Sequence, residues 1–253
     1  METRRLTVDL GLPEGRVRVE MDVPTGEVPV QALLPALRTT ADAFVAYAAE
    51  VSTATGQPVS CAKGCGACCR QLVPVAHSEA RRLSSLLEEL PEPRRTVVKE
   101  RFAAAFRRIE EAGLLPTLDG RRKWQAGEAV GVGLDYFRLG IPCPFLEDES
   151  CSIYGERPIA CREYLVTSDP VHCAAPATAT VRTVPLPTRV WAALSREETG
   201  APDTEPASCV PLVLAPRWAE ENPGAGPLRP GPATLRRVYE RFSRDRSGKG
   251  GPE

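Results

Sequence analysis

The chain has 253 residues, a hydrophobic content of 42%, a charged content of 26% and a formal net charge of −1. This length can bury a full hydrophobic core, and the composition is ordinary for a globular protein. The near-neutral charge supplies no basic field for nucleic acid or an anionic membrane, so neither is an expected partner. The 25 prolines and 20 glycines favour irregular loops between the regular elements.

The region 1–55 is predicted to form a hairpin followed by a helix. Polar and apolar residues alternate along Leu6–Leu10 and Arg16–Val23, which flank a Pro-Glu-Gly turn. The segment Val28–Ala54 is rich in alanine and leucine, which indicates a helix. Pro35 marks either a break in this helix or its true start.

The region 56–180 contains most of the cysteines and is predicted to be the metal-binding domain. An αα-hairpin is expected within it, because Ser78–Leu90 and Pro93–Ala112 both have helical periodicity and end in helix-stop residues. The segment 114–133 is mixed in character and predicts no regular element.

The region 181–245 is predicted to be a C-terminal extension that packs on this domain. Its composition alternates between apolar segments and segments rich in proline and glycine. The expected elements are a strand over Ala179–Leu186, a helix over Thr188–Glu198, a strand over Val210–Leu214 and a helix over Thr234–Arg244. A disordered tail is expected over 246–253.

The residues after Met1 contain no apolar segment typical of a secretory signal, and no apolar stretch is long enough to span a membrane. We therefore expect a cytoplasmic protein, whose thiols stay reduced. The chain has nine cysteines, and an odd number also argues against a complete disulfide framework. Closely spaced cysteines then indicate metal ligands or redox groups.

The first cysteine segment places Cys61, Cys65, Cys68 and Cys69 within nine residues. Thiolates are soft donors that suit zinc and iron–sulfur clusters. We expect a tight turn that enters a helix near Gly66, so that backbone N–H groups approach the metal. The adjacent side chains of Cys68 and Cys69 diverge, so either they serve two centres or one binds metal while the other packs.

The second cysteine segment runs from Cys143 through Cys151 and Cys161 to Cys173. An acidic hairpin tip is expected at 147–150, and proline can begin a short helix that carries Cys161. One tetrahedral ion or one four-iron cluster needs four thiolates, so eight suit two centres, or one centre with spare redox cysteines. The candidate metal ligands are Cys61, Cys65, Cys68, Cys69, Cys143, Cys151, Cys161 and Cys173.

Several other residues have an open role. The isolated Cys209 is expected to pack in the core, and His172 is an alternative ligand beside Cys173. Arg157 and Arg162 could offset thiolate charge or bind an anionic ligand. The alternative is that these arginines form ion pairs with Glu147, Glu156 or Glu163.

The two cysteine segments read Cys-x₃-Cys-x₂-Cys-Cys and then Cys-Pro-Phe-Leu-x₄-Cys-x-Ile-Tyr-x₂-Arg-Pro-x₂-Cys-Arg-x-Tyr. In this order they resemble the CxxCxxCC cysteine-cluster family, also called YkgJ-like, over residues 58–175. The resemblance implies chelation of zinc or iron through these cysteines. The first spacing here is three residues, where the family has two. Flagellin lysine N-methylases have a similar cysteine box, which suggests an iron–sulfur cluster instead.

The sequence thus predicts an α+β, mostly helical protein with a cysteine-rich, metal-centred core and irregular loops. The leading hypothesis is a cytoplasmic protein that chelates zinc or iron, with the metal partly structural. One alternative is an iron–sulfur enzyme, a methyltransferase or oxidoreductase, since the first three cysteines have radical-SAM spacing, although Ala67 replaces the usual aromatic residue. Another is a thiol redox or metal-delivery module that uses Cys68 and Cys69. The sequence identifies no catalytic residue.

Overall fold

The computed structural model describes residues 2–12, 15–119, 126–176 and 180–245. The predicted tail 246–253 lies outside these residues. About half of the chain is helical and a smaller part forms strands, which confirms the α+β, mostly helical prediction.

The described elements are ten α-helices and eight strands, connected by loops and 3₁₀ turns. The helices are α1 (Leu34–Ala54), α2 (His77–Glu89), α3 (Arg94–Glu111), α4 (Leu115–Leu118), α5 (Ala126–Arg138), α6 (Ile159–Arg162), α7 (Val171–Ala174), α8 (Val190–Thr199), α9 (Ala215–Glu221) and α10 (Gly231–Asp245). The strands are β1 (Thr3–Leu12), β2 (Gly15–Pro24), β3 (Glu27–Pro29), β4 (Pro74–Val75), β5 (Leu146–Glu147), β6 (Ser150–Cys151), β7 (Val210–Pro211) and β8 (Leu228–Pro230).

Strands β1 and β2 form the predicted antiparallel hairpin, in register from Thr3 opposite Pro24 to Leu12 opposite Gly15. Alternate side chains of β2 are buried, because one face of the hairpin packs against α1 and α10. Cross-strand ion pairs join Arg5 to Asp22 on the exposed face. The alternation of polarity in the sequence therefore predicted this element correctly.

Helix α1 begins at Leu34, with Pro35 in its first turn, where a missing N–H costs nothing. The alternative in which Pro35 marks the start of the helix is confirmed to within one residue, and a start at Val28 is wrong. Val28 instead lies in β3, which pairs with β8 near the C-terminal end of the described chain. The reason is a long-range strand partner, which local helical composition does not reveal.

Three other predictions need correction. The described part of the segment 114–133, for which no regular element was predicted, contains α4 and the first part of α5. The described part of the predicted strand 179–186 makes only a single bridge, between Thr183 and Val166, because Pro185 has no N–H to donate. The predicted strand 210–214 ends at Pro211 and continues as a 3₁₀ turn.

The predicted αα-hairpin is confirmed by α2 and α3, which pack together in the second of three hydrophobic clusters. The first cluster joins the hairpin, α1, α8 and α10, with Phe44 and Phe242 edge to face at 5.5 Å between centroids. The third lies between α3, α4 and α5. The thiols of Cys143, Cys151 and Cys161 pack against the second cluster.

Three buried or half-buried carboxylates connect α2, α6 and α8 in a closed ring. Glu79 on α2 accepts a hydrogen bond from the first N–H of α6, at Ile159, at 2.7 Å. Glu163, directly after α6, accepts one from the first N–H of α8, at 2.5 Å. Glu198 on α8 accepts one from Ser78 in the first turn of α2, at 3.2 Å. Each carboxylate thereby satisfies a helix N-terminus that has no intrahelical partner.

Candidate metal centre

The first cysteine segment is a tight turn, as predicted, but the helix that follows is a single 3₁₀ turn, Ala67–Arg70. Gly64 has a φ of +87°, in the left-handed region that glycine adopts without strain. The N–H of Cys69 then bonds to the carbonyl of Gly66 at 3.0 Å. This backbone path turns Cys65, Cys68 and Cys69 toward the interior of one cavity.

The second cysteine segment begins with the predicted hairpin tip. Strands β5 and β6 pair, and the two residues between them, Asp148 and Glu149, have φ values of 48° and 54°. Such left-handed pairs form the tight turns that fit the twist of a hairpin. The helix predicted to carry Cys161 is α6, which follows Pro158.

Three contacts hold the two cysteine segments together. The N–H of Cys143 donates to the carbonyl of Cys69 at 2.7 Å. Arg70 forms an ion pair with Glu149 at 2.7 Å. Gly66 lies so close to the hairpin tip that a Cβ atom there would be 3.2 Å from the Cα of Glu149. The fold therefore brings the two segments to one place through backbone contacts and one ion pair, without a bond between thiols.

A cavity of about 730 Å³ lies between the segments. All nine cysteines are free thiols. Of the eight predicted ligands, Cys173 is 4% exposed and lies on α7, which packs against the 3₁₀ turn. The seven that line the cavity are Cys61, Cys65, Cys68, Cys69, Cys143, Cys151 and Cys161.

The thiols do not form a finished coordination shell. Within the part of the chain that the structure describes, no group of three or more His, Cys, Asp or Glu side chains is arranged to hold one metal ion. The donor chemistry nevertheless fits a soft or borderline metal, because free thiols from two segments face the same space. Coordination would require these side chains to move closer together.

The thiol pKa values divide the cysteines into two neighbourhoods. Burial, with smaller contributions from the thiolates of Cys61, Cys68 and Cys65, raises the pKa of Cys173 to about 11. Burial also raises the pKa of Cys143 to about 12, with added contributions from the thiolates of Cys151 and Cys68. Cys68 is thus close to both neighbourhoods.

The adjacent Cys68 and Cys69 interact directly. A hydrogen bond from the Cys69 thiol is the main cause that lowers the pKa of Cys68 to about 7, and the positive charge of Arg157 contributes. The same hydrogen bond raises the pKa of Cys69, followed by burial and by the thiolates of Cys68, Cys143 and Cys161. Cys68 is therefore the thiol that is most readily ionised by its surroundings.

The two candidate arginines differ sharply. Arg162 binds Asp42 of α1 at 2.7 Å, and not one of the predicted glutamates. The two residues are 120 positions apart, so the sequence does not reveal this contact. Arg157 lines the cavity and lies over the ring of Tyr154, at 4.6 Å from its centroid. Neither arginine has an ion pair with Glu147, Glu156 or Glu163 among the described residues.

Tyr164, His172 and Cys209 also have defined positions relative to the cavity, and the sequence analysis missed three charged or amide side chains that line it. Tyr164 lines the cavity and accepts a hydrogen bond from Gln71 at 3.1 Å. His172 and Cys209 are outside the set of residues that line the cavity. The missed residues are Lys63 and Gln71, which no motif in the sequence distinguishes, and Glu149, which was predicted only as part of the acidic hairpin tip.

The structure thus defines an α+β protein with a thiol-lined cavity. Residues 60–180 match the model of the CxxCxxCC family, which is described as "Putative zinc- or iron-chelating domain", and this segment is a domain of that family. No curated protein and no solved structure matches the chain at a significant level. Among the described residues, no helix has the length and apolar character needed to cross a membrane.

Proposed function

We propose that this protein chelates zinc or iron through thiolates of the cavity and that the metal is partly structural. The observation that carries the proposal is the convergence of seven free cysteines, from two distant segments, on one cavity. The description of the matching family as zinc- or iron-chelating supports it. Free thiols also fit a reducing compartment, so we propose a cytoplasmic location.

We propose that the eight thiols serve two centres of four cysteines each. The first would contain Cys61, Cys65, Cys68 and Cys173, since the thiolates of Cys61, Cys65 and Cys68 all act on Cys173. The second would contain Cys69, Cys143, Cys151 and Cys161. Three members of the second set pack against one hydrophobic cluster, and the fourth is bonded to Cys143 through the backbone.

This division also gives a role to each of the adjacent cysteines, Cys68 and Cys69. The thiols of Cys68 and Cys69 are hydrogen-bonded to each other, so the two proposed centres would be neighbours, with one thiol of the pair in each centre. Backbone donors are available to the first set, because the N–H of Val166 lies 3.4 Å from the Sγ of Cys61. Such hydrogen bonds orient a thiolate and moderate its charge.

Metal binding would be coupled to folding. The thiols must move closer together to coordinate an ion. This movement would bring α7, the 3₁₀ turn Ala67–Arg70 and α6 closer to each other. A closed shell of four thiolates is typical of structural zinc, which provides binding energy and no open position for a substrate. The prediction is that the metal raises the free energy of unfolding of the region around the cavity.

The decisive experiment is anaerobic purification, followed by elemental analysis and an absorption spectrum. Two zinc ions or mononuclear irons per chain are expected, and removal by a chelator should lower the melting temperature. A metal-free protein that neither binds added zinc or iron nor changes its melting temperature would refute the proposal. Strong, broad visible absorption with inorganic sulfide would instead favour iron–sulfur clusters.

A second candidate is an iron–sulfur enzyme. The cavity volume of about 730 Å³ favours it, because this space exceeds what a single ion requires and leaves room for a small substrate. A closed four-thiolate shell in the metal-loaded protein would exclude this candidate for that centre, whereas a three-thiolate shell with an open position would support it.

A further inference from the structure

Arg157 is a cation in the cavity without a carboxylate partner among the described residues. Its guanidinium lies 4.6 Å from the centroid of the Tyr154 ring. Its Nε atom is buried and has no hydrogen-bond partner. Among the described residues, no carboxylate forms an ion pair with Arg157 and no side chain or carbonyl accepts a hydrogen bond from it.

The neighbouring arginines are different, because each has a carboxylate within hydrogen-bond distance. Arg70 binds Glu149 at 2.7 Å, and Arg162 binds Asp42 at 2.7 Å. Glu149 is the carboxylate that lines the cavity, and Arg70 already balances its charge. The Arg157 guanidinium therefore faces a space in which the protein supplies it with no free carboxylate.

The orientation of Arg157 suits a bound ligand. The guanidinium lies over the Tyr154 ring and its N–H groups donate to no described residue, so its edge is available to a ligand. That edge matches the two oxygens of a carboxylate, which can accept two parallel hydrogen bonds. A buried donor without a partner is costly, so an acceptor that reaches the Nε atom would be favoured.

A large part of the remaining cavity wall is apolar and fits the body of an organic ligand. Hydrophobic side chains line it beyond the thiols. Tyr154, which is 67% exposed, also lines the cavity, and Lys63 is a second and exposed cation. The apolar lining residues are Leu72, Val73, Phe145, Ile153 and Leu212.

We infer that the cavity binds a small organic carboxylate, with its anionic group on Arg157 and its apolar part against this hydrophobic wall. The inference goes beyond the proposed function, because the carboxylate contacts need no metal ion. When metal is present, the carboxylate would lie beside the thiolates and could accompany the ion as it enters or leaves.

The test is calorimetric titration of the reduced, full-length protein, with the metal that it retains on anaerobic purification, against hexanoate, hexanol and inorganic phosphate. Hexanoate should bind once per chain and at least about tenfold more tightly than hexanol or phosphate, because it alone provides both the charge and the apolar body. Equal binding of hexanoate and hexanol, or of hexanoate and phosphate, would overturn the inference, as would no binding of hexanoate.

Three variants test whether Arg157 is the anchor, that is, the residue that binds the carboxylate group of hexanoate. Arg157→Gln should weaken hexanoate binding about tenfold or more, and Arg157→Lys should lie between this variant and the wild type. Lys63→Gln is the matched control, since it removes the exposed cation of the same cavity, and should change binding less than about twofold. If Arg157→Gln binds hexanoate as the wild type does while keeping its melting temperature, Arg157 is not the anchor.

Zinc content of the same variants separates this inference from the proposed function. Hexanoate binding in a chain that binds no zinc or iron would leave the carboxylate site standing and refute the metal proposal. Suppose that the wild type does not bind hexanoate and that Arg157→Gln loses its zinc. Arg157 would then only balance thiolate charge. That result would refute the carboxylate site and support the metal proposal.

Discussion

The backbone N–H of Cys143 donates a hydrogen bond to the carbonyl oxygen of Cys69, with 2.7 Å between the two atoms. This bond joins the two cysteine segments without using a thiol. The cavity is therefore expected to keep its two halves adjacent when a single cysteine is replaced. Single cysteine variants should consequently report on metal binding and not simply on unfolding.

The two-centre arrangement predicts that Cys173→Ser and Cys151→Ser each lose about half of the bound metal. Each variant removes one ligand from a different set of four, and three thiolates hold an ion less well. Elemental analysis of both variants and of the double variant checks this, and the double variant should be nearly free of metal. Cys209→Ser is the control, because Cys209 is not among the cavity-lining residues.

Loss of all metal from either single variant would contradict two independent centres and favour one shared centre. Full retention in both would show that neither Cys151 nor Cys173 binds metal. The serine side chain is nearly isosteric with cysteine, so packing changes should be small.

Gly66→Ala should disturb the contact between the two cysteine segments. The added Cβ would lie 3.0 Å from the Cδ1 of Leu146 and 3.2 Å from the Cα of Glu149. Since backbone atoms cannot move aside freely, we expect a loss of about 1–3 kcal/mol in stability and weaker zinc binding. Gly131→Ala in α5 is the control, because a Cβ there meets nothing within 4 Å. Equal melting temperatures and zinc affinities for both variants would count against this contact.

Glu198 should make stability depend on pH. Burial raises its pKa from 4.5 to about 7. The folded state then holds a proton that the unfolded state releases, so the free energy of unfolding falls as the pH rises from 4.5 to about 7. Urea unfolding across this range should show a decline of about 1–3 kcal/mol that Glu198→Gln reduces.

The exposed Glu110→Gln should leave this pH dependence as it is in the wild type. A Glu198→Gln variant with an unchanged slope would show that Glu198 titrates normally. The measurement is best made on metal-free, reduced protein, so that thiol ionisation on metal binding does not contribute to the slope.

Glu156→Gln should destabilise the contact between α1 and the cavity wall. The carboxylate accepts a bond from Arg38 at 2.7 Å, and Arg38 is only 8% exposed. A buried guanidinium without its carboxylate costs about 2 kcal/mol. Thermal or urea unfolding measures the loss. In Glu89→Gln the exposed ion pair with Arg82 is removed instead, and about 0.5 kcal/mol or less is expected. Similar losses in the two variants would disprove the special role of Glu156.

Local patterns in the sequence predicted the elements whose stabilising contacts are also local. The hairpin β1–β2 follows from alternation, and α2 and α3 from helical periodicity and stop signals. The hairpin tip at Asp148 and Glu149 follows from its polarity and its position between cysteines. In these cases neighbours along the chain determine the structure.

The features that the sequence did not reveal depend on distant partners. Strand β3 needs β8, and Arg162 needs Asp42. Helix α5 contains three glycines that lower its intrinsic propensity, and it is stabilised by the packing of residues such as Tyr136, which is 3% exposed. The cysteines were identified as candidate ligands, but their division into two neighbourhoods required the spatial arrangement.

The closed ring of Glu79, Glu163 and Glu198 has a consequence for local unfolding. Because each carboxylate holds the start of the next helix, one helix cannot detach without releasing an N-terminus in another. The amide protons at the starts of α2, α6 and α8 should therefore exchange with solvent deuterium at a common rate, as one cooperative unit. Cys161 lies on α6 within this unit, so its position is tied to two helices that contribute no cysteine of their own.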